Sequence, residues 1–252
     1  MDTAERAALA KVPQVTLGFW LIKIAATTLG ETAGDAVSMS MELGYLVGSA
    51  LFALVFAAAV GAQIAARRFN PPLYWATIIA TTTVGTTLAD FVDRSLGVGY
   101  AGGSSILLGL LLASLLAWRR VLGSIAVETV ADTRSEVFYW LTILFSQTLG
   151  TALGDWVADS AGIGYGGAAL VFGALLLLVA LLYRWTSISR TLLFWAAFVL
   201  TRPLGAVVGD FLDKPLAEGG LALSRYAASL VLLAFIVACV AVLPQRAARR
   251  VH

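Results

Sequence analysis

The sequence has a single cysteine, Cys239, and a single histidine, His252. One residue of each kind excludes a disulfide framework and the zinc, haem and iron–sulfur sites that need several Cys or His ligands at set spacings. It also leaves no Cys–His or Ser–His pair within the apolar segments for nucleophilic catalysis. We therefore expect no enzyme and no resident cofactor.

Charged residues are also scarce, at 13% of a chain that is 60% hydrophobic, whereas soluble domains are nearer one quarter charged. The 17 basic residues form short scattered groups rather than one basic stripe, which argues against nucleic acid as a partner. This composition is typical of an integral membrane protein, whose main surroundings are membrane lipid.

Apolar runs bounded by turn or charge signals predict eight transmembrane helices. Together they define an all-α integral membrane protein with one transmembrane domain over residues 1–252. The predicted spans are Val15–Met39, Gly44–Ala66, Leu73–Asp93, Tyr100–Trp118, Val137–Ala158, Gly164–Tyr183, Thr191–Leu212 and Leu223–Leu243.

The distribution of Lys and Arg predicts the orientation. Twelve basic residues lie on one side of the predicted helices, and three lie on the other, namely Arg94, Lys214 and Arg225. Because basic residues collect on the cytoplasmic side, both termini are expected in the cytoplasm, with the protein in a bacterial inner membrane.

An internal repeat occurs four times. Each copy starts at a Trp, has a Gly ten residues later and an Asp fifteen residues later, and occupies about residues 14–68, 69–122, 134–186 or 189–246. Each copy holds two spans, so the four hairpins are parallel and are expected to close around one axis with pseudo-fourfold or two-by-two symmetry. The aligned segments are Trp20–Asp35, Trp75–Asp90, Trp140–Asp155 and Trp195–Asp210.

The repeated Asp lies about 22 Å beyond its Trp along a helix, within the outer half of the bilayer. An ionised side chain at the centre of a membrane helix costs about 3 kcal/mol, so it is normally retained facing a partner or water. Glu31 lies one turn deeper than Asp35, on the same face. The predicted metal-binding residues are Glu31, Asp35, Asp90, Asp155 and Asp210.

Two cations, Lys23 and Arg202, lie within the predicted spans and bring the formal charge of this set to −3, which a divalent cation or protons would offset. We assign gating or charge-balancing roles to both and to Pro203, which frees a backbone carbonyl at membrane depth. For Lys23, snorkelling toward the cytoplasmic headgroups stays an open alternative.

Uncharged polar residues within the predicted spans indicate a polar path for ions through the membrane. Further acidic residues on the outer side indicate an outer mouth that attracts cations. Hydroxyl groups in membrane helices also serve as contacts between helices, which is the alternative for the path. The path residues are Thr27, Thr28, Thr82, Thr83, Gln147 and Thr148, and the mouth residues are Asp93, Asp159 and Asp213.

Carboxylates and hydroxyls without His or Cys favour hard cations such as Mg²⁺, Ca²⁺, Mn²⁺ or protons. Met39 and Met41 add thioether groups that would favour Mn²⁺ or Fe²⁺ over Mg²⁺ and Ca²⁺, and Mn²⁺ is the favoured substrate. The leading hypothesis is a transporter or exporter of a divalent cation, with proton coupling as one option. One alternative is a proton-coupled carrier of a small solute. Another is a structural or signalling membrane protein, whose Asp residues pair with Arg94, Arg202 and Arg225 in a closed polar core.

The segment TTLGETAGDAVS, residues 27–38, follows Lys23 and carries Thr27, Thr28, Glu31 and Asp35. With the later Gly-Asp repeats, it resembles a family of bacterial membrane-anchored repeat proteins without an assigned activity. That resemblance covers nearly the whole chain and implies a shared fold. The Glu-x-x-Gly-Asp run is also similar to the Glu-x-Gly-Asp repeats of small manganese and calcium transporters, although these have one residue fewer between Glu and Asp.

Overall fold

The computed structural model describes residues 11–160 and 162–248, so both predicted cytoplasmic termini lie outside the described residues. The described chain contains eight long α-helices and no β-strand longer than a single bridge, which confirms the all-helical prediction. The helices are α1 Leu17–Asp35, α2 Gly44–Ala65, α3 Pro71–Asp90, α4 Gly99–Leu122, α5 Thr133–Asp155, α6 Gly164–Trp185, α7 Arg190–Asp213 and α8 Arg225–Val242.

Each odd-numbered helix begins at a polar side chain that accepts a hydrogen bond from a backbone N–H of its first turn. Such caps satisfy donors that have no partner inside the helix, and they fix where the helix starts. The four caps are Thr16, Asn70, Asp132 and Ser189.

The first three odd helices end at the repeated Asp and continue into one π-helical turn, whereas α7 continues as an α-helix to Asp213. A π turn is wider than an α turn, so it changes the direction of the residues that follow the Asp. The three π turns are Ala36–Ser40, Phe91–Ser95 and Trp156–Ser160.

The four odd helices form an inner ring, in which α1 contacts α3, α3 contacts α5, α5 contacts α7 and α7 contacts α1. Each even helix lies outside this ring and packs mainly against the odd helix of the next repeat: α2 on α3, α4 on α5, α6 on α7 and α8 on α1. The same contact therefore occurs four times, and it places the odd helices at the centre of the molecule.

The repeated Gly, ten residues after each Trp, allows the inner helices to approach closely. A Cβ atom there would overlap or crowd the residue found seven positions after the Trp in the next odd helix, so small residues are required at this contact. The facing pairs are Gly30 with Thr82, Gly85 with Gln147, Gly150 with Arg202 and Gly205 with Thr27.

Among the described residues, six helices are long and apolar enough to cross a membrane. The two others are α1 and α3, which were also predicted to span. Helix α1 contains Lys23, Glu31 and Asp35, and α3 contains six Thr residues, so both are less apolar. Because both belong to the inner ring, other helices cover most of their side chains.

The end of the ring that holds the Trp residues is closed by packed aromatic side chains. Tyr74 and Tyr139 are fully buried there and share a hydrogen bond of 2.6 Å between their hydroxyl groups. A short segment before α1 crosses this end, where Lys11 pairs with Glu136 at 2.7 Å. We call this part of the molecule the inner end.

Candidate functional site

The four repeated Asp residues lie at the opposite end of the inner ring, which we call the outer end. Their side chains are buried, although each belongs to a different odd helix. We call this set the aspartate ring; its members are Asp35, Asp90, Asp155 and Asp210.

Two cations join the members of the aspartate ring in pairs. Arg94 contacts Asp90 and Asp155, both at 3.0 Å. Lys214 contacts Asp35 at 2.7 Å and Asp210 at 3.1 Å. Each cation follows one of its partners by four residues, which is about one helical turn. Lys214 was not among the predicted site residues, although its four-residue spacing from Asp210 was a usable signal.

Glu31 lies one turn deeper and pairs with Arg202, whose Nη1 is 3.0 Å from Glu31 Oε2. Arg202 Nη2 also donates hydrogen bonds of 2.5 Å to the hydroxyl groups of Thr86 and Thr151. These three partners belong to α1, α3 and α5, while Arg202 belongs to α7. The guanidinium therefore lies at the centre of the inner ring and is fully buried.

Two groups of three carboxylates bring one oxygen each within 4.8 Å of one another: Glu31 with Asp35 and Asp90, and Asp35 with Asp210 and Asp213. Convergent carboxylate oxygens are the ligands that hard divalent cations prefer. Asp35 belongs to both groups, so it is the carboxylate most central to the cluster.

The formal charge of the cluster differs from the −3 expected from the sequence. Arg94, Lys214 and Arg225 all join it, the last through Asp213 at 3.1 Å. Six carboxylates then face four cations, so the formal charge is −2. The carboxylates are the aspartate ring, Glu31 and Asp213, and the cations are Arg94, Arg202, Lys214 and Arg225.

Some buried oxygens of the aspartate ring lack a hydrogen-bond partner among the described residues. Within the described chain, neither Asp155 Oδ1 nor Asp210 Oδ2 accepts a hydrogen bond. A buried acceptor without a partner is unfavourable, and such groups are frequent at binding sites.

A cavity of about 550 Å³ lies above the aspartate ring, and we call it the vestibule. Charges of both signs line it, and so does one residue from each repeat at the position four after the repeated Asp: Met39, Arg94, Asp159 and Lys214. The other lining residues are Tyr100, Tyr165, Pro215, Glu218 and Arg225.

The three acids predicted at the outer mouth have different surroundings. Asp159 is exposed and lines the vestibule. Asp213 is buried and pairs with Arg225. Asp93 is also buried, but it packs against Gly103 of α4 rather than lining the vestibule. The structure therefore places one of the three at the mouth itself.

All six residues of the predicted polar path are buried in the inner ring. The five Thr hydroxyls donate to backbone carbonyls, and those of Thr27 and Thr82 also reach carbonyls of a neighbouring helix. These bonds fit contacts between helices better than an open path. Gln147 differs, because its side-chain amide has no hydrogen-bond partner among the described residues.

Lys23 lies nearer the inner end than Arg202 does. It is fully buried, and its Nζ is 4.1 Å from the centre of the Phe198 ring. No described residue accepts a hydrogen bond from this ammonium group. The side chain therefore does not reach the headgroup region as the snorkelling alternative requires. Pro203 follows Arg202 inside α7, which continues through it as a helix.

Lys214 directly follows α7, and its surroundings determine its charge. Burial is the largest single influence and lowers its pKa, but the carboxylates of Asp210, Asp35 and Asp213 together outweigh burial and hold the pKa above its ordinary value. The side chain is therefore a permanent cation at neutral pH.

These features define an all-helical protein of membrane type, built from four repeats around a buried charged centre. The chain belongs to the family described as Repeat of Unknown Function (DUF347), whose four matches confirm the internal repeat and the resemblance to an uncharacterised repeat family. No curated protein and no solved structure matches the chain. The matched residues are 18–69, 73–123, 138–189 and 193–246.

Proposed function

We propose that this protein is a secondary carrier of a divalent metal cation in the bacterial inner membrane, with Mn²⁺ as the favoured substrate. Eight helices would cross the membrane as four parallel hairpins, with both termini in the cytoplasm. Helices α1 and α3 have 19 and 20 residues, which correspond to about 30 Å and match the apolar thickness of a bilayer.

The observation that carries this proposal is the aspartate ring beneath the vestibule. Ionisable residues in membrane segments are costly, and they mark ion pathways when they face a cavity. The surrounding cluster has a formal charge of −2, the charge that one divalent cation or two protons neutralise. The vestibule gives such an ion access from the outer side.

A carrier fits the inner ring better than an open channel. Arg202 fills the centre of the ring below the aspartate ring, and the aromatic side chains close the inner end. An ion would need a conformational change to pass, as alternating access provides. Export against a negative-inside potential would also need coupling, because each charge adds about 2.3 kcal/mol at 100 mV.

The ligand chemistry supports Mn²⁺ over softer metals that require several Cys or His residues. Met39 lines the vestibule, so its thioether is close to the entry route. Met41 is half exposed and does not line this cavity.

Two other functions have a specific observation in their favour. Glu31 and all four members of the aspartate ring contact a cation, as a structural or signalling protein with a closed polar core requires. The vestibule, at about 550 Å³, also has the size of a small-molecule site, and its charges of both signs suit a zwitterionic solute carried with protons.

Reconstitution into liposomes tests the proposal. Uptake of Mn²⁺, Mg²⁺, Ca²⁺ and protons is measured for the wild type and for Asp35→Asn and Asp155→Asn. We expect Mn²⁺ flux in the wild type and a loss of at least about tenfold in both variants, because each removes a ring carboxylate.

Asp132→Asn is the matched control, since Asp132 is an exposed helix cap and Asn caps equally well. It should retain full flux. Absence of flux for every metal in the wild type would overturn the metal proposal. Loss of stability in the ring variants, together with that absence, would favour the closed polar core.

A further inference from the structure

Lys214 occupies the position that a bound cation would take. Its Nζ lies between Asp35 and Asp210, at 2.7 Å and 3.1 Å. Those two residues and Asp213 form one of the groups whose oxygens approach within 4.8 Å. The ammonium group thus contacts two of the three carboxylates that could hold a metal ion.

The backbone of Lys214 is held by a hydrogen bond, whereas its side chain borders the vestibule. Its carbonyl accepts a hydrogen bond from Ala222 N at 2.9 Å. The side chain lines the vestibule, where the exposed acids Asp159 and Glu218 offer other partners. A flexible four-carbon stem lets an ammonium group withdraw while it keeps its charge.

Lys214 and a divalent cation exclude each other at this place. Like charges about 4 Å apart repel strongly in a desolvated site, and both ions need the same oxygens of Asp35 and Asp210. Arg94 has a different position, because it joins Asp90 to Asp155 on the other side of the aspartate ring.

We infer that Lys214 is a tethered cation that holds the substrate's place in the aspartate ring and withdraws into the vestibule when a divalent cation binds. This inference rests on the proposed function, since it concerns how that site exchanges its ions. Lys214, which is part of the protein chain, then competes with the substrate cation for the same carboxylates.

The internal repeat also provides a position at which the opposite substitution can be made. Met39 follows Asp35 by four residues, as Lys214 follows Asp210, and it also lines the vestibule. A Lys at Met39 would add a second tethered cation next to Asp35. Competition should then increase, whereas Lys214→Met should remove it.

The test is equilibrium binding of Mn²⁺ to the purified full-length protein in detergent, measured by the electron paramagnetic resonance signal of free Mn²⁺. We expect Lys214→Met to lower the Kd by about tenfold and Met39→Lys to raise it by a similar factor. Arg190→Met is the matched control, because it removes one positive charge at the exposed inner start of α7. It should leave the Kd unchanged.

The binding data distinguish a failure of the tethered-cation inference from a failure of the proposed function. If the wild type binds Mn²⁺ but neither Lys214→Met nor Met39→Lys changes the Kd as stated, the tethered cation is wrong while the proposed function stands. If no variant binds Mn²⁺, the proposed function fails as well. Binding that is detected only in Lys214→Met would support the inference, because it would show that Lys214 blocks the site.

Discussion

The outer and inner ends of the helix ring are built from the same four repeats, but they differ in nearly every physical property. At the outer end, four buried Asp residues are joined by Arg94 and Lys214 beneath an open cavity. At the inner end, Tyr, Trp and Phe side chains pack edge to face.

The two ends are expected to contribute differently to the stability of the protein. Buried aromatic side chains stabilise a protein through the area they remove from water and through their contacts with each other. Buried ion pairs stabilise it little, since the desolvation of both charges offsets most of their attraction. A charged outer end that adds little stability is what the proposed cation site leads us to expect.

The largest loss of stability is expected on substitution of Arg202, which lies between the aspartate ring and the aromatic inner end. Replacing Arg202 with Met leaves Glu31 buried without a cation, which typically costs 3–5 kcal/mol, so we expect about 4 kcal/mol less stability. Denaturant unfolding in detergent micelles measures this loss. The double variant with Glu31→Gln should recover most of it. A single variant as stable as the wild type would contradict the central position of the guanidinium.

A smaller loss of stability is expected at the inner end. Tyr74→Phe removes the hydrogen bond to Tyr139 and leaves one buried hydroxyl unpaired, at a cost of about 1 kcal/mol. The double variant with Tyr139→Phe should be closer to the wild type in the same unfolding assay. Mn²⁺ affinity should not change in either variant. A large change in affinity would show that the two ends are not separate in function.

Much of the fold could be predicted from the spacing of a few residue types. The constant distance from Trp to Asp indicated four equivalent helices, and it led to the prediction that Asp35, Asp90, Asp155 and Asp210 converge. The Gly ten residues after each Trp, which belongs to the same repeat, lies at the close contacts between the inner helices.

The partners of the charged residues could not be predicted in the same way. A single helix gives the angle between Arg202 and Asp210 on α7, but the partner of Arg202 is Glu31 on α1. Contacts across a ring depend on the relative rotation of two helices, which a periodic pattern does not give. Lys214 lies beyond the predicted end of its span, so it was counted only in the charge of the outer side.

Binding of a divalent cation in the aspartate ring is tested most directly by X-ray anomalous scattering from crystals grown with Mn²⁺. We expect an anomalous peak in contact with the carboxylates of Asp35 and Asp210, with the Lys214 ammonium group moved toward the vestibule. An aspartate ring without a peak, with Lys214 still between Asp35 and Asp210 at saturating Mn²⁺, would contradict this expectation.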